Sequence, residues 1–80
     1  MLSAIKMPKL HDIDEYKIVR FHHEIGDIVK KGDIFLDAEL EDGTFRPVCF
    51  YLSGKITEII VSAGAYVRED SLLGVMNDEY

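Results

Sequence analysis

The sequence predicts an all-β sandwich in which two similar halves pack face to face. Three observations carry that prediction. Short segments alternate apolar and polar residues with period two, most clearly Tyr16 to His23, and no segment carries a helical stripe. Gly, Pro or Asp interrupts the chain roughly every 8–12 residues, the spacing of turns in sandwiches and barrels. The chain also repeats itself. Shifted by 38 residues, Ile18 meets Ile56, Arg20 meets Glu58, Phe21 meets Ile59, Gly26 meets Gly64, Val29 meets Val67, and Ile34-Phe35 meets Leu72-Leu73. Each half reads strand, Gly-x-x-Val, polar turn, strand. Two like halves imply a pseudo-two-fold sandwich, each covering the other's apolar face. Arg20 and Glu58 mark the outer face, Phe21 and Ile59 the core. Gly26 and Gly64 are expected at positive φ, which glycine adopts at little cost.

The elements follow in order. Ala4 to Lys9 is a short extended segment, and Pro8, lacking an N–H, suits a strand end or an edge. His11 to Glu15 is an acidic loop. Tyr16 to His23 is a strand with Ile18, Arg20 and His22 on one face and Val19, Phe21 and His23 on the other. Glu24 to Asp33 is a turn-rich crossing. Ile34 to Leu40 and Thr44 to Leu52 form a hairpin around Asp42-Gly43, where a two-residue type I′ turn is expected. Pro47 makes the returning strand an edge or marks a bulge. Ser53-Gly54 is a turn. Lys55 to Val61 is the most β-prone segment. Ser62 to Asp70 crosses again, Leu72 to Met76 is the last strand, and Asn77 to Tyr80 is expected to fray.

Composition bounds the function. Eighty residues make a single domain, 48% hydrophobic and so able to build a core. The net charge is −6, with no basic run longer than Lys30-Lys31, which argues against nucleic acid and anionic membrane as partners. The single Cys49 rules out an internal disulfide and suits a reducing compartment. No apolar run approaches the roughly 18 residues of a membrane helix, and no signal peptide is apparent. The expectation is a cytoplasmic protein.

The segments MPKL, YKIVRFHHEIGDIVKKGDIFLDAE and LSGKITEIIVSAGAYVREDSLLGVM resemble the biotinyl/lipoyl domain family from about Ile5 to Met76. GDIVKKGD and SGKITEIIVSAG are the most specific pieces. The resemblance implies a barrel-sandwich hybrid of two four-stranded antiparallel sheets. It also makes Gly26, Gly32, Gly54 and Gly64 the structural turn glycines. In that family a lysine at the tip of the central hairpin receives biotin or lipoate, and the arm carries carboxyl or acyl groups between active sites. Counted forward from Gly32, that position falls on Asp42; counted back from Ser53-Gly54, it falls on Gly43. The mismatch implies one extra hairpin residue, as a bulge supplies. No lysine stands between Gly32 and Gly54. The methionines beside a biotinylated lysine and the acidic-lysine pair of lipoyl domains are missing too.

The resemblance therefore implies a domain without the prosthetic arm and without biotin or lipoate, docking as a non-catalytic subunit in a multienzyme complex for carboxyl or acyl transfer. The alternative is an active swinging-arm carrier modified at another lysine, such as Lys31 or Lys55. Asp37, Glu39 and Glu41, spaced by two, share one sheet face beside Asp42. They form either a docking surface for a basic partner or, more commonly, a solvated face with Arg46 as a neutralising neighbour. Phe50 and Tyr51 either anchor a partner or pack over a sheet edge. Cys49, with no basic neighbour in sequence, is expected to be a buried or half-buried structural residue. His22 and His23 point to opposite faces and, with His11, fit no metal-ligand spacing. HDIDE lacks the glycine and terminal glutamate of a calcium loop. No catalytic set of acid, base and nucleophile assembles.

Overall fold

The computed structural model describes residues 1–10 and 15–79. These form eight strands: β1 Leu2–Lys6, β2 Tyr16–Phe21, β3 Ile28–Val29, β4 Ile34–Glu39, β5 Phe45–Cys49, β6 Gly54–Ile59, β7 Tyr66–Val67 and β8 Leu72–Asn77. They build two four-stranded sheets, ordered β1-β8-β6-β3 and β5-β4-β2-β7, with antiparallel pairing throughout. The acidic loop expected over His11 to Glu15 lies, apart from Glu15, outside the described residues.

The repeat is structural. A shift of 38 residues carries β2 onto β6, β3 onto β7 and β4 onto β8, residue for residue. The crossings close alike: the Lys30 amide donates to the Asp33 carboxylate, and the Arg68 amide to the Ser71 hydroxyl. Gly26 and Gly64 have φ of 97° and 91°. Gly32, also at 97°, has Asp70 as its counterpart at 68°. The short strands β3 and β7 lie inside the two crossings, where no strand was expected, because each is only a two-residue pairing.

Bulges also repeat. Register shifts at Val19 in β2 and Thr57 in β6, and at Phe35 in β4 and Leu73 in β8, stand at matched positions. The bulge at Val19 overturns the strict alternation expected over Tyr16 to His23. Ile18 is buried and Arg20 exposed although they are two apart, because the extra residue flips the pleat. Phe21 then returns toward the core, against Phe35, with ring centroids 5.5 Å apart.

The core lies between the sheets, led by Tyr16, Ile18, Phe35, Leu36, Ile56 and Leu73, all fully buried. Each such side chain contributes about 1.5–3 kcal/mol by leaving water. Phe50 joins them, its ring 4.8 Å from Phe35, so it is a core residue and not a surface anchor. The buried Tyr16 ring keeps its hydroxyl satisfied by the Leu10 amide, at 3.1 Å.

Other local expectations shift. β1 ends at Lys6, before Pro8. Asn77 belongs to β8 and Asp78 is tied down: its amide donates to the Met1 carbonyl and its carboxylate accepts from Ser3 Oγ at 2.7 Å. The fraying expected from Asn77 onward is therefore absent through Asp78, and Tyr80 lies outside the described residues. Gly54 opens β6 instead of occupying the turn. A Cβ there would overlap the Asn77 carbonyl oxygen, so its role is close strand approach. Cys49 is exposed, not buried, because it lies on the outer side of edge strand β5. Among the described residues no helix is long and apolar enough to cross a membrane.

Candidate functional site

The hairpin between β4 and β5 carries the position of interest. Its loop is three residues long, not two. The Gly43 amide donates to the Leu40 carbonyl at 2.9 Å, and the Leu40 amide to the Thr44 carbonyl at 2.8 Å. Gly43 has φ of 86° while Asp42 is not at positive φ, so the type I′ turn is replaced by a turn followed by a glycine bulge. Asp42 is built into the loop: its Oδ1 accepts from the Thr44 amide at 3.0 Å and from Thr44 Oγ1 at 2.6 Å. An aspartate bonding the backbone two residues on holds a turn in this way. Glu41, Asp42 and Gly43 offer no primary amine, so the tip does not fit an amide-linked biotin or lipoyl group.

The acidic residues separate. Asp37 lies on the outer face of β4, where His22 Nε2 is 2.9 Å and Arg20 Nη2 3.3 Å from its Oδ2. A carboxylate only accepts, so His22 must donate through Nε2. That hydrogen bond, with Arg20 adding to it, holds the Asp37 carboxyl below the ordinary carboxylate value. Asp37 is thus committed within its own sheet. Glu39 and Glu41 instead flank an open concavity of about 540 Å³ with Glu15, Lys17, Leu40 and Tyr66. Arg46 stands opposite Ala38, not opposite an acid. Tyr51 sits at the far end of β5 from the hairpin, half-exposed, its hydroxyl donating to the Ala4 carbonyl of β1.

His22 and His23 go to separate aspartates. His23 Nδ1 is 3.1 Å from Asp27 Oδ2, and its ring meets Phe50 edge-on at 5.9 Å. Asp27 is held below its ordinary value first by the Glu24 amide and then by His23. Among the described residues no group of three His, Cys, Asp or Glu side chains could hold a metal. Lys31 lies in the turn before β4, at the other end of that strand from the hairpin, roughly 20 Å away by strand rise. Lys55 is half-buried on β6, between Ile28 and Asn77.

Sequence reasoning missed Lys17 and Tyr66. Lys17 is directly opposite both Glu39 and Tyr66. The 38-residue shift pairs Lys17 with Lys55 and Tyr66 with Ile28, so the signal was present. Placing the pair beside the hairpin needed the strand order.

No family model matches the sequence, and a search of curated proteins finds no match. Eighteen solved chains match. One is the lipoyl domain of the 2-oxoglutarate dehydrogenase complex of Azotobacter vinelandii, at 27% identity and TM-score 0.71, over 92% of this chain and 94% of that one. The paired four-stranded sheets and this match define the class, a barrel-sandwich hybrid domain. Over nearly its whole length the chain is similar to a lipoyl domain, the likeness that its sequence resemblance implied.

Proposed function

We propose that this domain is an unmodified member of the biotinyl/lipoyl family that serves as a non-catalytic docking or structural subunit of a multienzyme carboxyl- or acyl-transfer complex. The observation that carries this reading is at the hairpin tip. Asp42 and Gly43 stand at the two positions where the family's attachment lysine is expected, neither carries an amine, and the Asp42 carboxylate closes the loop with Thr44. The surrounding scaffold is intact, with bulges and turns repeated in both halves. The solved relative above is part of a dehydrogenase complex, which supports a complex as the setting. The net charge of −6 favours protein partners over nucleic acid or anionic membrane. Cys49, the one nucleophilic thiol, lies between Val48 and Phe50 with no basic group beside it in sequence, which supports a non-catalytic role.

Native mass spectrometry of the protein isolated gently from its source tests the proposal. An unmodified chain inside a larger assembly is the expected result. Mass added by biotin, lipoate or an acyl group on any lysine, Lys31 and Lys55 included, overturns it in favour of a carrier.

A further inference from the structure

The outer face of the β5-β4-β2-β7 sheet carries one continuous cross-strand row. Phe45 is opposite Glu39, Glu39 is opposite Lys17, and Lys17 is opposite Tyr66. The terminal aromatics are 62% and 65% exposed. Three strand spacings separate them, roughly 14 Å. Exposed aromatics in soluble proteins are commonest where a partner desolvates them. Glu39, Lys17 and Tyr66 of this row line the concavity, together with Glu15, Leu40 and Glu41.

The pseudo-two-fold supplies an internal comparison. The matching row on the other sheet is Leu2, Asn77, Lys55 and Ile28, with the same register. Its ends are equally exposed, at 66% and 62%, but aliphatic, and Asn77 replaces the carboxylate. Exposed row ends are thus a property of the fold. Aromatic ends and a carboxylate beside a concavity belong to the hairpin side alone among these two rows.

We infer that the Phe45–Glu39–Lys17–Tyr66 row is a docking face for a cationic, apolar-bearing segment of a protein partner. The inference rests on the docking reading above and specifies where docking occurs. Charge complementarity selects the partner. Glu39 and Glu41 outnumber Lys17, while Glu15 already pairs with Arg68 at 3.7 Å. A guanidinium or ammonium entering the concavity meets the carboxylates and can lie over the Tyr66 ring. Aliphatic groups flanking that cation cover the exposed Phe45 ring.

The test is an NMR titration of the isotope-labelled domain with two peptides of equal length, one alternating Arg and Leu, the other Glu and Leu. The Arg-Leu peptide is expected to shift the amides of residues 17, 39, 45 and 66, and the Glu-Leu peptide to leave them in place. The double variant F45A/Y66A should weaken binding about tenfold or more, as removal of anchor side chains does. The control double variant L2A/I28A should bind as the parent does. Shifts spread over all acidic surfaces, no shifts at all, or equal losses in both double variants overturn the inference. Both pairs are surface residues, and amide dispersion checks that each variant stays folded. A native complex of unmodified chain that survives F45A/Y66A defeats this inference alone, whereas a modified chain defeats the reading beneath it.

Discussion

The backbone amide of Gly64 donates to the carbonyl of Ile18 at 2.7 Å, and 38 residues away the amide of Gly26 donates to the carbonyl of Ile56 at 2.8 Å. Each half therefore locks the other through the same position. Both glycines sit at φ above 90°, and a Cβ on either meets nothing within 4 Å. The penalty for a side chain is thus conformational and not steric. Gly26→Ala and Gly64→Ala should each cost about 1–2 kcal/mol, and the corresponding Asn variants less, because Asn tolerates this region. Urea unfolding of the four variants checks it. Alanine variants as stable as the parent would mean that the crossings relax away from these φ values.

Gly74 and Gly54 act by a different mechanism, and their order relative to the turn glycines is the test. A Cβ on Gly74 would overlap the Glu58 carbonyl oxygen, and one on Gly54 the Asn77 carbonyl oxygen, both on backbone that cannot rotate away. Each contact lies between β6 and β8, the central pair of their sheet. Gly74→Ala and Gly54→Ala should cost about 3 kcal/mol, near the upper end of overpacking penalties and above the turn variants. Thermal unfolding of all four alanine variants gives the ranking directly.

The sequence disclosed the repeat because glycines and apolar pairs recur at one spacing, and from that the two-sheet fold follows. It did not disclose the bulges. Val19 and Thr57 are ordinary strand residues, and only the pairing of β2 with β4 and of β6 with β8 makes them extra. The hairpin was half legible. Asp42-Gly43 announced a turn, but the same dipeptide serves a two-residue turn and a three-residue turn ending in a glycine bulge. The choice depends on where Leu40 and Thr44 pair. The partners of Asp37 were not legible: the sequence pointed to Arg46 as its neutralising neighbour, whereas Arg20 and His22 reach it across the pairing of β2 with β4. Cys49 was expected to be buried because it stands between apolar Val48 and Phe50 with no basic neighbour, yet it lies on the outer side of the edge strand that Pro47 marked.

Asp37 predicts a pH response with a definite sign. Its folded-state carboxyl is held below the ordinary value of 3.8, chiefly by the His22 hydrogen bond, with Arg20 adding to it. A depressed folded value stabilises the native state above the unfolded value and is lost as pH falls through the folded one. The parent should therefore lose stability on acidification below the ordinary carboxylate range. Asp37→Asn should start lower at neutral pH and lose less over that window. Urea midpoints measured from neutral to acid pH compare the two slopes, and parallel slopes would mean that the Asp37 contacts carry no net stability.

Cys49 on the outside of β5 should behave as an accessible, non-structural thiol. Cys49→Ser should change stability by no more than about 0.5 kcal/mol, as surface substitutions do. Iodoacetamide should label the native chain at a rate close to that in denaturant. Protection of the native thiol would place Cys49 under a cover that the exposed edge strand does not provide.

The hairpin tip gives the prediction that bears most directly on function. Asp42 closes its loop through two hydrogen bonds to Thr44, one to the backbone and one to the hydroxyl. Asp42→Ala should cost about 1 kcal/mol, the net worth of such a turn-closing contact, and Asp42→Asn less, because its side-chain oxygen still accepts. Asp42→Lys forfeits the same contacts but places a primary amine at the tip. With biotin ligase or lipoate ligase and the matching acid, the parent chain should take no label on any of its lysines. Peptide mapping should put any label on the lysine variant at position 42. A parent chain labelled by either enzyme would show an attachment lysine elsewhere and defeat the unmodified-subunit reading. A clean parent beside a labelled variant would show that the scaffold still presents its tip correctly and that this one residue separates it from a carrier.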